Sequence, residues 1–376
     1  MKPACEVAQV IGQEWEHIER CGQLNPWQKR TLRLIRDCRT AAMGGHIDQC
    51  PACSHLRISY NSCRNRHCPK CQVLAREDWV SARKAELLPV PYFHLVFTLP
   101  AELSRLCLYA PDRVYDALFA SAWSVMTSFA ADPTHLGADT GMIAVLHTWG
   151  QNLSLHPHLH CIVPGGGISP AGHWKSARAK GKFLFPVKAM SRVFRARMVA
   201  ALRRAFPGED PQLFRGLFTK PWVVYAKRPF AGPEPVIDYL GRYTHKIAIS
   251  NHRLLSVSKQ RVRFRYKDYR DGSSHKVMDL EPMEFIRRFA LHILPKGFVR
   301  IRHYGILSSR RKAVSIPQII LQLQGRVVAL IRHIRSRAPE VLCPCCKKAL
   351  MKTILRFDHR GPPKRYKELL TPSVPH

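Results

Sequence analysis

Two Cys-Pro-x-Cys knuckles, Cys50-Pro51-Ala52-Cys53 and Cys68-Pro69-Lys70-Cys71, stand 14 residues apart and constrain this chain more than any other feature. Residues 46–72 are dense in Cys, His, Asn and Arg and carry few aliphatic side chains, so a metal rather than a hydrophobic core must organise them. A two-residue gap lets both sulfurs of one tight turn reach a single ion, and Zn²⁺ prefers four tetrahedral nitrogen or sulfur ligands. The separation is just under the usual ribbon spacing. Cys50, Cys53, Cys68 and Cys71 are therefore the first choice for a structural Zn²⁺. Cys38, His46, Cys63 and His67 are spare ligands, which leaves open a second ion or a different choice of four. Free thiols on a basic loop are the plain alternative.

The remaining cysteines do not change that reading. Thirteen cysteines in 376 residues could suggest a secreted disulfide scaffold, but six of them fall within residues 38–71 and the start of the chain lacks the plan of a signal peptide. Cytoplasmic metal ligands are the expectation. Cys5, Cys21, Cys107 and Cys161 are scattered and read as inert thiols. Cys343, Cys345 and Cys346 have no evident second pair beside them; Asp358 and His359 could complete a site, and a thiol-rich turn is the equal alternative.

Charge narrows the partner. Lys and Arg number 60 against 26 Asp and Glu, a formal charge of +34, while 46% hydrophobic residues exclude a disordered basic tail. Such a surplus calls for an anionic partner. No run of about 18 uncharged apolar residues is available to span a bilayer, and the charge is not confined to one amphipathic helix. Nucleic acid is the partner expected, bound in the cytoplasm at the nucleoid.

Periodicity predicts helix over 10–43, begun by Asn25-Pro26 and ended by Gly44-Gly45, and a second helix reaching Leu88. Strands are expected at 93–99, 142–147, 158–163, 222–225, 261–266 and 275–280, with helices at 101–129, 188–206 and about 235–247. This mixture fits an α+β domain with a central sheet. An amphipathic helix and a basic Cys- and Pro-containing tail follow residue 317.

Two constellations carry chemistry. In the run His156-Pro157-His158-Leu159-His160-Cys161-Ile162-Val163, a strand turns His158 and His160 to one face and Leu159, Cys161 and Val163 to the other. The two imidazoles can then chelate a divalent ion that polarises a phosphodiester. A solvated strand face with two polar residues gives the same pattern. Tyr239 and Tyr243 are four apart and share one helix face, where a phenol oxygen could attack a DNA phosphorus with electrostatic help from Arg242, His245 or Lys246. The stripe Val236, Tyr239, Leu240, Tyr243 and Ile247 also fits ordinary core packing.

Taken in order, Ser62-Cys63-Arg64-Asn65-Arg66-His67-Cys68-Pro69-Lys70-Cys71, then His158-Leu159-His160, then Tyr239-Leu240-Gly241-Arg242-Tyr243-Thr244-His245 closely resemble the two-tyrosine HUH transposases of the insertion-sequence-ninety-one type. The likeness extends to Phe97-Thr98-Leu99-Pro100, Tyr266-Lys267-Asp268-Tyr269 and the stretch Leu294 to Gly305. It implies a five-stranded antiparallel sheet flanked by helices, with the His pair on a central strand and the tyrosine helix beside it. It also implies single-strand nicking and joining through a 5′-phosphotyrosine on Tyr239 and Tyr243, with catalytic Mg²⁺ or Mn²⁺ on His158, His160 and a third ligand. Of Gln151, His147, His156 and His245, Gln151 is the first choice. Arg64, Arg66, Lys70, Arg242, Lys246, Arg300 and Arg302 are the candidate DNA-binding cations, and single-stranded element ends and target DNA the expected partners. The domains read as 1–88 (helical and zinc-binding), 89–315 (catalytic) and 316–376 (C-terminal helix and tail). A rolling-circle replication initiator and a non-catalytic zinc-finger regulator are the rival functions.

Overall fold

The structure, a computed structural model, describes residues 3–84, 86–177, 184–230, 236, 241, 246–269, 271–325 and 341–363. Helices Val7–Gln13, Trp15–Arg20 and Pro26–Asp37 open the chain, so the single helical stretch expected over 10–43 is broken into pieces. The third starts where Asn25 and Gln28 form a reciprocal capping box with Pro26 in the first turn. A hairpin follows, β1 (Gly45–Gln49) and β2 (Leu56–Tyr60), then the helix Gln72–Lys84.

The central sheet comes next. β3 (Tyr92–Thr98), β4 (Gly141–Trp149) and β5 (Leu155–Pro164) are joined by the long helix Pro111–Ala131 and a tight turn. The short ribbon β6 (Gly166–Ile168) and β7 (Trp174–Ser176) leads to the helix Val187–Ala205 and to β8 (Val224–Phe230). Strands β9 (Leu254–Val257), β10 (Val262–Asp268) and β11 (Ser274–Leu280) form a separate meander, closed by the helix Pro282–Ala290. β12 (Ile301–Gly305), the helix Lys312–Gln324 and β13 (Lys352–Phe357) complete the order.

Five strands make one antiparallel sheet in the order β12-β4-β5-β3-β8, which puts the histidine strand β5 at its centre. The α+β architecture expected from the sequence is what the chain adopts. One sheet face, with Leu95, Phe97, Leu159, Cys161 and Val163, is covered by Leu118, Phe119 and Val125 of one long helix and Phe194, Met198 and Leu202 of the other. The opposite face, with Tyr92, Ile143 and Ile162, packs against Val236, Ile306, Ile316 and Ile319. Both faces of the sheet are therefore covered, with His94 and His147 buried and His158 and His160 half-buried.

A third core joins the N-terminal helices to the meander: Val10, Ile11, Leu32 and Ile35 share buried contacts with Phe264, Phe285 and Phe289. β12 had no strand signal, because its five residues are all half-buried and show no alternation. It ends at Gly305, whose φ of +58° and approach to the Thr140 carbonyl leave no room for a Cβ. The tyrosine helix expected at about 235–247 lies outside the described residues apart from Val236, Gly241, Lys246 and Ile247.

Candidate functional site

Register assembles the histidines. β4 and β5 run antiparallel with His147 opposite His158, and β3 sets Val96 opposite His160 and His94 opposite Ile162. All four imidazoles project from the same sheet face, because Leu159 and Cys161 take the other. His147, His158 and His160 offer ligand nitrogens that all lie within 4.8 Å of one another. The ring centroids stand 4.8 Å apart for His158 and His160 and 4.5 Å for His147 and His160.

The proton positions follow from the partners. His158 donates from Nδ1 to the His156 carbonyl at 2.6 Å, which makes Nε2 its lone-pair nitrogen. His160 Nδ1 is 2.9 Å from His94 Nε2, and in the tautomer that donates there His160 also turns an Nε2 lone pair inward. The two Nε2 atoms face each other at 3.1 Å. Neighbouring ligands on an octahedral ion at about 2.1 Å would sit about 3 Å apart, so this donor set fits a divalent cation. Burial pushes His158 down to about 4, His94 to about 4, and His160 well below its ordinary range. Neutral imidazoles are the form that ligates.

His147, one of the sequence candidates, joins His158 and His160 in the cluster. Gln151 lies in the turn beyond β4, and its carbonyl accepts a hydrogen bond from Arg253. His156 is exposed, with its ring 5.1 Å from that of His158 and its carbonyl holding His158. His94 had no role in the sequence reading, since only the β3–β5 register brings it to His160. Lys246 stands near enough that its charge further depresses His158 and His160, and burial lowers its own affinity for a proton. Tyr239, Arg242, Tyr243 and His245 lie outside the described residues.

The cysteines sort differently from the first-choice set. Cys50 and Cys53 are not brought to Cys68 and Cys71. Cys68 and Cys71 instead meet Cys38, at the end of the helix Pro26–Asp37, and Cys63. Cys71 Sγ lies 3.5 Å from Cys38 Sγ and 3.6 Å from Cys63 Sγ. Sulfurs on a tetrahedral Zn²⁺ at about 2.3 Å would be about 3.8 Å apart, so these four thiols fit the ion. Hydrogen bonds from Cys63 and Cys68 hold Cys38 down at about 7. His46 pairs with Asp48, and buried His67 accepts from the Leu294 amide; neither joins a thiol cluster.

A second set of four combines Cys50 and Cys53 with Cys343 and Cys346. Asp358, a sequence candidate for that C-terminal site, bonds Arg360 instead. Several expected DNA-binding cations are already paired within the chain. Arg300 is buried and reaches Gln72 and the Lys246 carbonyl. Arg66 donates to the carbonyls of Pro295 and Phe298, Lys70 pairs with Glu6, and Arg302 pairs with Asp116 while stacking on Phe119. Arg64 is exposed.

Comparison with known proteins points to one family. A family described as "Transposase zinc-binding domain" matches residues 10–99, and one described as "Putative transposase" matches residues 141–314; neither reaches residues 343–346. The chain is 47% identical over 369 residues to "Putative transposase y4qJ" of Sinorhizobium fredii (strain NBRC 101917 / NGR234), covering 91% of this chain and 92% of that one. It is 28% identical over 323 residues to "Transposase for insertion sequence element IS801" of Pseudomonas savastanoi pv. phaseolicola, covering 82% and 77%. No solved structure matches. Among the described residues, no helix is long and apolar enough to cross a membrane.

Proposed function

The chain belongs to the transposases of the insertion-sequence-ninety-one type, with an N-terminal zinc-binding domain, and on that premise we propose that it nicks and rejoins single DNA strands through tyrosine-linked intermediates. The convergence of His147, His158 and His160 on one face of the central sheet is the observation that carries this reading. When bound there, Mg²⁺ or Mn²⁺ supplies Lewis-acid polarisation of the scissile phosphate.

The chain's own groups do the rest. Tyr239 or Tyr243 loses its phenol proton and bonds phosphorus, and the 3′ oxygen leaves and takes up a proton. The products are a 5′-phosphotyrosine and a free 3′-hydroxyl. Attack by a target 3′-hydroxyl on that linkage reverses the step and joins strands, so two tyrosines serve two strand transfers. Val236, three residues before Tyr239, packs with Ile143 and Ile162 on the sheet face that bears the histidines. Lys246, three residues after Tyr243, carries a charge felt at His158 and His160. Both lie close to the tyrosines in sequence and on the histidine side of the sheet.

The assignments 1–88, 89–315 and 316–376 are proposed as roles rather than as separate cores, because the N-terminal helices share buried contacts with the meander. The test is cleavage of single-stranded DNA carrying an element end, in Mn²⁺. Wild-type protein should nick it. His147→Ala should lose at least about tenfold in metal affinity or rate, as for other ligands and their supports, whereas Gln151→Ala should lose little. Undiminished metal-dependent nicking by a His158→Ala/His160→Ala variant would sink the reading.

A further inference from the structure

Two turns from opposite ends of the chain have the same construction. Cys50-Pro51-Ala52-Cys53-Ser54 and Cys343-Pro344-Cys345-Cys346-Lys347 each begin Cys-Pro-x-Cys. In each, the fifth residue donates its amide to the first cysteine's carbonyl, Ser54 to Cys50 and Lys347 to Cys343, both at 2.9 Å. In each, that fifth residue takes a left-handed φ of 56°. In each, the first cysteine's amide closes the hairpin, Cys50 onto His55 at 3.0 Å and Cys343 onto Ala349 at 2.9 Å. Such turns present two sulfurs in one direction, and here they face one another.

Across the gap Cys50 Sγ stands 3.6 Å from Cys346 Sγ, and Cys53 Sγ 3.6 Å from Cys343 Sγ. All four sulfurs lie within 4.8 Å of one another. A disulfide needs about 2.05 Å, whereas sulfurs of a tetrahedral tetrathiolate stand about 3.8 Å apart. Four thiolates from two such turns are a closed, structural zinc set with no position left for substrate. Cys345, between the C-terminal ligands, is exposed and outside the set.

The strands beside the knuckles support the same pairing. β13 joins β1 antiparallel, with Gly45 opposite Phe357 and Ile47 opposite Leu355. A Cβ on Gly45 would come within 2.6 Å of the Phe357 ring, so the seat for this C-terminal strand depends on a residue of the N-terminal module. Thr353 donates to Asp48 at 2.7 Å, and the Phe357 ring meets Tyr60 edge-on.

We infer that this chain binds a second structural zinc ion through Cys50, Cys53, Cys343 and Cys346, a clasp that fastens its C-terminal hairpin to the N-terminal zinc module. The clasp draws one knuckle from residues 50–53 and the other from 343–346, so zinc occupancy there decides whether the C-terminal segment stays attached. It is independent of the strand-transfer chemistry.

Metal content of the full-length, reduced protein tests it. Wild-type protein should hold two zinc ions per chain by elemental mass spectrometry. Cys343→Ser/Cys346→Ser and Cys50→Ser/Cys53→Ser should each hold one, and Cys345→Ser two. Because losing a ligand pair can disturb folding, native wild-type protein is also alkylated with N-ethylmaleimide, with and without a zinc chelator, and mapped by peptide mass spectrometry. Cys345 should label in both, and Cys50, Cys53, Cys343 and Cys346 only after chelation. One zinc per wild-type chain, two zincs retained by Cys343→Ser/Cys346→Ser, or labelling of Cys343 and Cys346 unaffected by the chelator would each overturn the inference.

Discussion

Single residues announce their chemistry in sequence but not their partners. Thiol spacing made zinc legible from Cys50, Cys53, Cys68 and Cys71, yet the fold divides those four between two thiol clusters, because Cys38 and Cys343 reach their partners only through tertiary folding. His158 and His160 were legible from strand alternation, while His94 and His147 needed strand register to bring them in. His292 was not legible at all. It is 2% exposed, bonds the Leu153 carbonyl at 3.1 Å and Thr148 at 3.2 Å, and is pushed by burial down to about 4. Above pH 6.5 His292 is neutral whether the chain is folded or unfolded, so nothing is gained or lost. Between about 6.5 and 4 the unfolded chain takes up a proton that the fold refuses, and stability falls with pH. That loss is at most about 3 kcal/mol for this one group. Denaturant titration at stepped pH should show it, and His292→Gln should flatten the slope. An unchanged slope would mean that the ring is solvated.

Elements divide their work by face. On β5, Leu159 is fully buried in the main core and His158 belongs to the histidine cluster, although they are adjacent. Leu159→Ala opens a cavity and should cost about 2–5 kcal/mol. His158→Ala removes a side chain bonded to one carbonyl and should cost about 1 kcal/mol while abolishing cleavage. Melting curves set beside nicking rates separate the two, and equal destabilisation would place His158 in the core. Strands with a clean two-residue alternation or a long apolar run, β3 to β5, were legible from sequence. The hairpin β1–β2 and strand β13 were not, because their residues alternate poorly and are stabilised by thiol turns and by one another. β12 is held as an edge strand by pairing with β4, a non-local contact that no local pattern announces.

At the scale of the whole molecule, a charge of +34 and membership of a transposase family make DNA the partner. Arg300 is buried and Arg66, Lys70 and Arg302 are half-buried and already paired within the chain, so strand binding should draw largely on more exposed cations of the surface. Affinity for single-stranded DNA should still fall steeply with salt, by roughly 100-fold between 50 and 200 mM if about five phosphates are neutralised. Fluorescence anisotropy at stepped salt reads the slope, and a flat one would point to an apolar contact instead. Strand transfer by tyrosine beside the three-histidine cluster requires a covalent protein–DNA link. Full-length protein is incubated with labelled single-stranded DNA and Mn²⁺, denatured and run on a gel. Wild-type protein should retain label, Tyr239→Phe and Tyr243→Phe singly should retain some, and the double variant none while still folding and binding DNA. A labelled adduct persisting in the Tyr239→Phe/Tyr243→Phe double variant would mean that these tyrosines are not the nucleophiles.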